Sequence, residues 1–310
     1  MNTKWHVLLP EALQRITKTI LQGFIMKNSL LVRDKVQNEF NIKSAKKARK
    51  HKASSKPAKG IVPERMKRPS YKLEENDEAN ILNPNYMLTD REIMMGQNLL
   101  RKSFPLMNGL MSTTLGAIGQ LDVMRGDFVQ ILHNGGLHWV CVSNISRRSG
   151  CVKLFDSMFS GSVATSVKEQ IASMLCELDS DEIEIHVQPV QQQTNCTDCG
   201  VFALAFATAV CFGYEASNLS FDVEKIRPHL WKCMQQDRME MFPSKRARPT
   251  KELKVVKVSI YCECRQIHNK AKDSMARCDT CKKWYHRQCQ RIPKDLFAKK
   301  GVTWTCRSCA

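Results

Sequence analysis

The sequence has no apolar run approaching the roughly 20 residues of a membrane-spanning helix. Near its start, Val7-Leu8-Leu9 is cut short by Pro10, too brief for a secretory core, so a cytosolic or nuclear address is expected and no membrane partner. Internal repeats are missing, which excludes solenoid and propeller architectures. Disulfide-type spacing is missing too. Of 14 cysteines, seven precede residue 260, scattered, with Cys141, Cys176 and Cys211 inside apolar runs; the other seven crowd into the last fifty residues. Reduced thiols plus a bound metal account for that distribution better than a disulfide scaffold. Acidic side chains are scarce at both ends. Residues 1–85 carry 18 Lys/Arg against 8 Asp/Glu, residues 86–242 carry 12 against 17, and residues 243–310 carry 18 against 5. A mildly acidic middle between two basic flanks suggests polyanion contact, including non-specific nucleic-acid contact, or nuclear import.

What is present reads as an ordinary globular composition, 43% hydrophobic over 310 residues, with room for one medium domain and small appendages. Residues 1–42 show helical spacing (Leu13, Ile16, Ile20, Phe24), with Pro10 placed to open the helix. Residues 43–83, with the basic run 46–52 followed by Ser, Pro and Gly, read as a disordered basic linker. The folded core is expected from about Tyr86, as a domain over 84–242. Thr89-Asp90-Arg91-Glu92 and Ser166-Val167-Lys168-Glu169 are candidate capping boxes, the second opening a helix with Val167, Ile171, Leu175 and Leu178 on one face. Phe128–Leu132, Leu137–Asn144, Val152–Phe155 and Ile183–Val190 read as strands. Gly200–Phe212, apolar nearly all round, reads as a buried helix that Gly213 ends. The domain is therefore α+β. Residues 243–257, with Lys245-Arg246-Ala247-Arg248 between prolines, read as a second basic linker.

Chemistry concentrates first around Asp198-Cys199-Gly200. Asp198 is a good N-cap, which puts Cys199 in the first turn of the apolar helix, where the helix dipole favours a thiolate. A nucleophilic cysteine also needs a histidine to hold its proton and a carboxylate to orient that histidine. His138 in one strand-like run and Asp156 at the end of the next are placed to supply them. Cys196 and Cys199 also form C-x-x-C, a redox pair or half of a zinc site on a different reading.

Leu88-Thr89-Asp90, His138-Trp139, Asp156-Ser157, Gln193 and Asp198-Cys199-Gly200-Val201-Phe202 together, in that order, resemble the SUMO-protease family over roughly residues 84–242. The resemblance implies a papain-like fold with permuted His-Asp-Gln-Cys order and a cysteine (iso)peptidase cleaving after the C-terminal diglycine of a ubiquitin-like protein. In it Cys199 is the nucleophile, His138 general base and then acid, Asp156 its orienting partner, and Gln193 an oxyanion donor. Trp139, Met87 and Asp90 would contact substrate, Trp139 as a wall of the tunnel for the diglycine tail. The family has a tryptophan where Met87 stands, which bears on activity and specificity.

The tail reads Cys262-x-Cys264, thirteen residues, Cys278-x2-Cys281, four residues, His286-x2-Cys289, sixteen residues, Cys306-x2-Cys309. Eight sulfur and nitrogen ligands in pairs suit two structural, four-coordinate zinc ions, and so short a segment needs metal to fold. With Trp304 two residues before Cys306, residues 258–310 resemble PHD fingers; a RING finger is the runner-up. The resemblance implies a cross-brace, with Cys262, Cys264, His286 and Cys289 on one zinc and Cys278, Cys281, Cys306 and Cys309 on the other. It also implies a histone H3 tail as partner, read by Tyr261, Met275 and Trp284 as a methyllysine cage and by Asp279. Other readings remain: a protease-fold scaffold serving only as a zinc-dependent histone-tail reader, and an acyltransferase, which also uses His, an acidic residue and Cys.

Overall fold

The computed structural model describes residues 71–175, 180–248, 251–272, 274–293 and 303–310. All lie in one compact unit, Ser70–Ala310. The expected helix within residues 1–42, the basic run 46–52, Cys176 and Leu178 lie outside the described residues.

In chain order the elements are α1 (Asp77–Leu82), α2 (Asp90–Ser103), β1 (Asn108–Gly109), α3 (Thr113–Ala117), β2 (Phe128–His133), β3 (Trp139–Ser143), β4 (Cys151–Phe155), α4 (Thr165–Met174) and β5 (Glu182–Val187). Then come α5 (Cys199–Cys211), β6 (Leu219–Phe221), α6 (Val223–Gln235), β7 (Ser244–Arg246), β8 (Lys254–Ser259), β9 (Met275–Arg277), β10 (Trp284–His286) and α7 (Arg287–Gln290). A six-stranded mixed sheet of order β1-β2-β3-β4-β5-β8 forms the middle layer. Its strands alternate with period two between two apolar clusters, so both faces are covered. Val129, Ile131, Cys141 and Phe155 point to the side of α2, α5 and α6, where Leu100, Phe202, Phe206 and Leu230 pack. Phe128, Leu132, Val140, Val142, Val152 and Leu154 point to the side of α4, with Val167 and Ile171.

Several local signals act as the sequence suggests. Glu92 Oε2 accepts the Thr89 N–H at 2.7 Å in a capping box that opens α2. All thirteen residues of α5 are buried, and Gly213 (φ 80°) ends it in the left-handed region. At the other end of α5, Gly200 allows a close approach. A Cβ there would lie 2.9 Å from Leu88 Cβ and 3.3 Å from Trp139 Cδ1.

Four expectations are corrected. The second capping box does not form: α4 starts at Thr165 after Ala164, and the Ser166 hydroxyl donates to the Asn134 carbonyl instead. Asp198 occupies the N-cap position of α5 without capping it, because its carboxylate is buried in an ion pair with Arg227. The linker expected up to residue 83 includes α1, where Ile81 is buried and Asp77 pairs with Arg91 at 2.9 Å. The linker expected over 243–257 includes β7, paired with β6, and the start of β8.

The last correction matters most. β8 pairs antiparallel with β5 from Glu182↔Ser259 to Val187↔Lys254, covering what would otherwise be the open edge of the sheet. Val258, Ile260 and Ile267 join the apolar cluster on the α4 side. Polar contacts add to the seam: Asn269 Nδ2 donates to Glu169 Oε1 at 2.7 Å, Lys272 pairs with Glu169 at 2.8 Å, and Arg265 pairs with Asp181 at 2.7 Å. The C-terminal segment is built onto the α/β domain.

Candidate active site and zinc finger

His138 stands at the start of β3, after a hairpin loop that Asn134 organises. Its side-chain oxygen accepts the N–H of Gly136 (2.8 Å) and of His138 (3.2 Å), and Gly135 (φ 81°) takes the turn. From below, Gln170 on α4 donates to the His133 carbonyl at 2.8 Å. Asp156 follows β4, whose pairing with β3 places Cys141 opposite Phe155. That register sets His138 beside the carboxylate: Nε2 lies 2.7 Å from Asp156 Oδ1, which also accepts the Met158 N–H at 2.9 Å. Nδ1 is buried and makes no hydrogen bond, and Cys199 lies near enough to bear on the titration of the ring. Cys199 opens α5, and its Sγ lies 3.8 Å from the Leu137 carbonyl.

The electrostatics follow from these neighbours. Burial alone pushes His138 down, but the hydrogen bond to Asp156 and the charges of Asp156 and Cys199 overcome it and raise His138 to about 9. A histidine protonated at neutral pH and set near a cysteine is the arrangement that nucleophilic thiols use. It also has a proton ready for a leaving group.

Gln193 lies on the same rim. Its N–H donates to the Ser157 carbonyl at 2.8 Å, its Oε1 accepts from Ser157 Oγ at 2.6 Å, and its Nε2 donates to the Asn195 carbonyl at 2.7 Å. An amide nitrogen carries two N–H groups, so one remains for an oxyanion. Trp139 is only 5% exposed; its indole N–H holds the Leu88 carbonyl at 2.9 Å and its ring tilts against His133. Met87 is half-buried against the same core, and Asp90, exposed at the start of α2, accepts a bond from Thr113. Cys196 is exposed on the loop before Cys199. Sequence reasoning missed Arg227, Asn195 and Gln170. Asn134-Gly135 between two strands was a readable hairpin signal; a single arginine on an amphipathic helix carries none.

In the C-terminal finger, the donor atoms of Cys262, Cys264, His286 and Cys289 all lie within 4.8 Å of one another, as do those of Cys278, Cys281, Cys306 and Cys309. These are the interleaved sets of a cross-brace. A tetrahedral site with Zn–S near 2.3 Å has donors roughly 3.8 Å apart, a spacing that Cys281 and Cys306 Sγ match at 3.9 Å. His286 points Nδ1 at Cys264 Sγ (3.3 Å) and Nε2 at the Ile267 carbonyl (3.2 Å), which orients the ring as a ligand. A third group, Cys151, Glu184 and His186, is already engaged by Arg148, 3.2 Å from the Cys151 sulfur and 2.7 Å from Glu184. It is an ion network. Tyr261 and Trp284 line one cleft of about 540 Å³ together with Glu263, Arg265 and Asp181; Met275 is not among its lining residues. Asp279 accepts the Trp304 N–H at 2.6 Å.

Residues 125–243 match the family model of the Ulp1 protease family, C-terminal catalytic domain, and residues 262–309 match the PHD-finger model. Among solved structures, the C-terminal Ulp1 protease domain in complex with Smt3, the yeast ortholog of SUMO, is 15% identical, with 51% of this chain and 82% of that one covered at a TM-score of 0.40. The Xanthomonas campestris effector protein XopD bound to ubiquitin is 14% identical (57% and 100% covered, TM-score 0.37). The Chaetomium thermophilum Ulp1-like SUMO protease catalytic domain is 15% identical (51% and 76% covered, TM-score 0.36). No curated protein matches the chain.

Proposed function

From a chain that carries a Ulp1-family catalytic domain followed by a PHD finger, we propose an active cysteine peptidase or isopeptidase that cleaves after the C-terminal diglycine of a ubiquitin-like protein, with SUMO the first candidate. The observation that supports it most is His138 held by Asp156 at 2.7 Å, with Cys199 among the groups that raise its titration. In the reaction the Cys199 thiolate attacks the carbonyl of the terminal glycine. Negative charge on that oxygen is met by Gln193 Nε2 and N–H groups at the start of α5. As the C–N bond breaks, His138 passes its proton to the leaving amine, giving a thioester and a free amino group. His138, now neutral, takes a proton from water as the water attacks the thioester, which releases the carboxylate and restores the thiolate. Trp139 and Met87 flank the channel for the diglycine tail.

The finger, on this reading, directs the enzyme to chromatin in the nucleus by holding a histone H3 tail, with a methylated lysine between Tyr261 and Trp284. A quaternary ammonium over aromatic faces gains about 0.5 to 2 kcal/mol. The basic runs at 46–52 and 245–248 support a nuclear address.

The test is labelling of the full zinc-loaded chain by SUMO, ubiquitin and other ubiquitin-like proteins carrying a C-terminal electrophile. An adduct lost in Cys199→Ala and kept in Cys196→Ala supports the reading and names the substrate. No adduct with any probe sinks it and leaves a scaffold that reads histone tails, the outcome that Met87 favours. The finger is checked separately by binding of trimethyllysine H3 peptide to the full chain. Trp284→Ala should abolish that binding, and equal binding of unmodified peptide refutes the cage.

A further inference from the structure

We propose that Arg227 is a positioning residue for the reaction at Cys199, one guanidinium that holds the oxyanion side of the site and the wall of the diglycine channel together. The proposal rests on the function proposed above. Arg227 lies on α6, and it and Asp198 are 5% and 4% exposed. Its Nε donates to Asp198 Oδ1 at 2.7 Å, Nη1 to the Ile81 carbonyl at 3.0 Å, and Nη2 to the carbonyls of Tyr86 (2.8 Å) and Thr197 (3.2 Å). A buried ion pair is weak grounds for stability, since apolar residues of the same shape often serve as well. What this one holds is more informative.

Ile81 and Tyr86 belong to the segment that runs into Met87 and Leu88, and the Leu88 carbonyl carries the indole N–H of Trp139 at 2.9 Å. Thr197 and Asp198 are the two residues before Cys199. The second Asp198 oxygen accepts from Asn195 Nδ2 at 2.7 Å, and Asn195 Oδ1 accepts the N–H of Thr197 (3.1 Å) and Asp198 (3.0 Å). The Asn195 carbonyl in turn holds Gln193 Nε2 at 2.7 Å. Thr197 Oγ1 ties the two segments again through the Pro84 carbonyl at 2.6 Å.

The clamp has a second consequence. An aspartate at an N-cap ordinarily accepts the first N–H groups of its helix. Here Arg227 draws the carboxylate away, so Asp198 makes no capping bond and those donors stay open at the mouth of α5. The guanidinium also balances a carboxylate one residue from the thiolate, where an uncompensated negative charge would oppose both the thiolate and the oxyanion.

Arg227→Lys keeps the charge and loses the fork that reaches four acceptors. Two readouts on the full chain separate positioning from folding: hydrolysis of SUMO and of ubiquitin bearing a C-terminal aminomethylcoumarin, and alkylation of Cys199 by iodoacetamide as a function of pH. For Arg227→Lys, kcat is expected to fall on the order of 10- to 100-fold, with KM within about threefold and the alkylation profile unchanged, because His138 and Asp156 do not touch the clamp. A folded Arg227→Lys with wild-type kcat overturns the proposal. So does a loss that alkylation shares equally, which makes Arg227 merely structural. If Arg227→Lys does not fold, Asn195→Ala, at an exposed residue of the same clamp, decides by the same two readouts. A wild-type protein that hydrolyses neither substrate ends the proposed function and this proposal with it; with an active wild type, the variants test this proposal alone.

Discussion

Replacing Asp156 by asparagine tests the site through the titration of His138. Burial opposes the imidazolium, yet the Asp156 hydrogen bond and the charges of Asp156 and Cys199 raise it from 6.5 to about 9. At about 1.4 kcal/mol per pH unit, that climb is worth on the order of 3 kcal/mol. The amide in Asp156→Asn would keep the shape and an acceptor for the 2.7 Å bond but lose the charge, so His138 falls back toward its ordinary value. The proton that the leaving amine needs is then largely gone by pH 8. For the coumarin substrate, the alkaline limb of kcat/KM, near pH 9 in the wild type, is expected to move down by one to two units. At pH 7.5 activity should fall about 10²- to 10⁴-fold, the range for losing an orienting acid. Stability carries the same signature. A histidine raised in the folded state contributes stability that is fully present below pH 6.5 and lost as pH rises through about 9. Urea unfolding should therefore show the wild-type advantage over Asp156→Asn greatest near pH 6 and vanishing by pH 10. An alkaline limb that stays near 9 in the variant refutes the role given to Asp156.

Three further outcomes are expected. Stripping zinc with a strong chelator should unfold the finger and also lower the thermal midpoint of the protease domain and its probe labelling, because β8 and Ile267 belong to the protease core; an unchanged midpoint in the apo protein contradicts that coupling. A chain ending at residue 250 should be poorly soluble, since it bares the edge of β5 and the apolar surface over Ile183 and Ile185, and gel filtration showing a stable monomer would count against this. Gly200→Ala should cost about 1 to 3 kcal/mol by urea titration and slow probe labelling, since its Cβ would press on Leu88 and Trp139, whereas the usual helical gain from alanine would show the contact to be soft.

The elements that form the triad were legible because they are local. Short strand-like apolar runs mark β3 and β4, an apolar stretch marks α5, and each places one reacting group at its end. The zinc ligands were legible for the same reason, since paired spacing encodes the site. What the sequence hid was long-range. Arg227 lies 29 residues from its acid partner, and its use emerges only when α6 packs under the start of α5. The start of β8 was read as linker because it follows the basic run 245–248 between prolines; Val256 and Val258 become meaningful only once β5 offers an open edge. The capping box at Ser166 failed for a related reason, a better partner in the Asn134 carbonyl across the fold.

That lost linker changes how the two halves work together. A finger on a flexible tether would raise the local concentration of substrate over a broad region. Here the finger is fixed along the sheet edge and against α4, the helix that in turn supports the His138 loop through Gln170 and Ser166. Under the proposed function, the spacing between a bound tail and Cys199 is then set by packing. Conjugates whose isopeptide bond lies within that fixed span would be favoured, and lengthening the connection would not extend the reach, because β8 holds the finger to the protease sheet through its own hydrogen bonds.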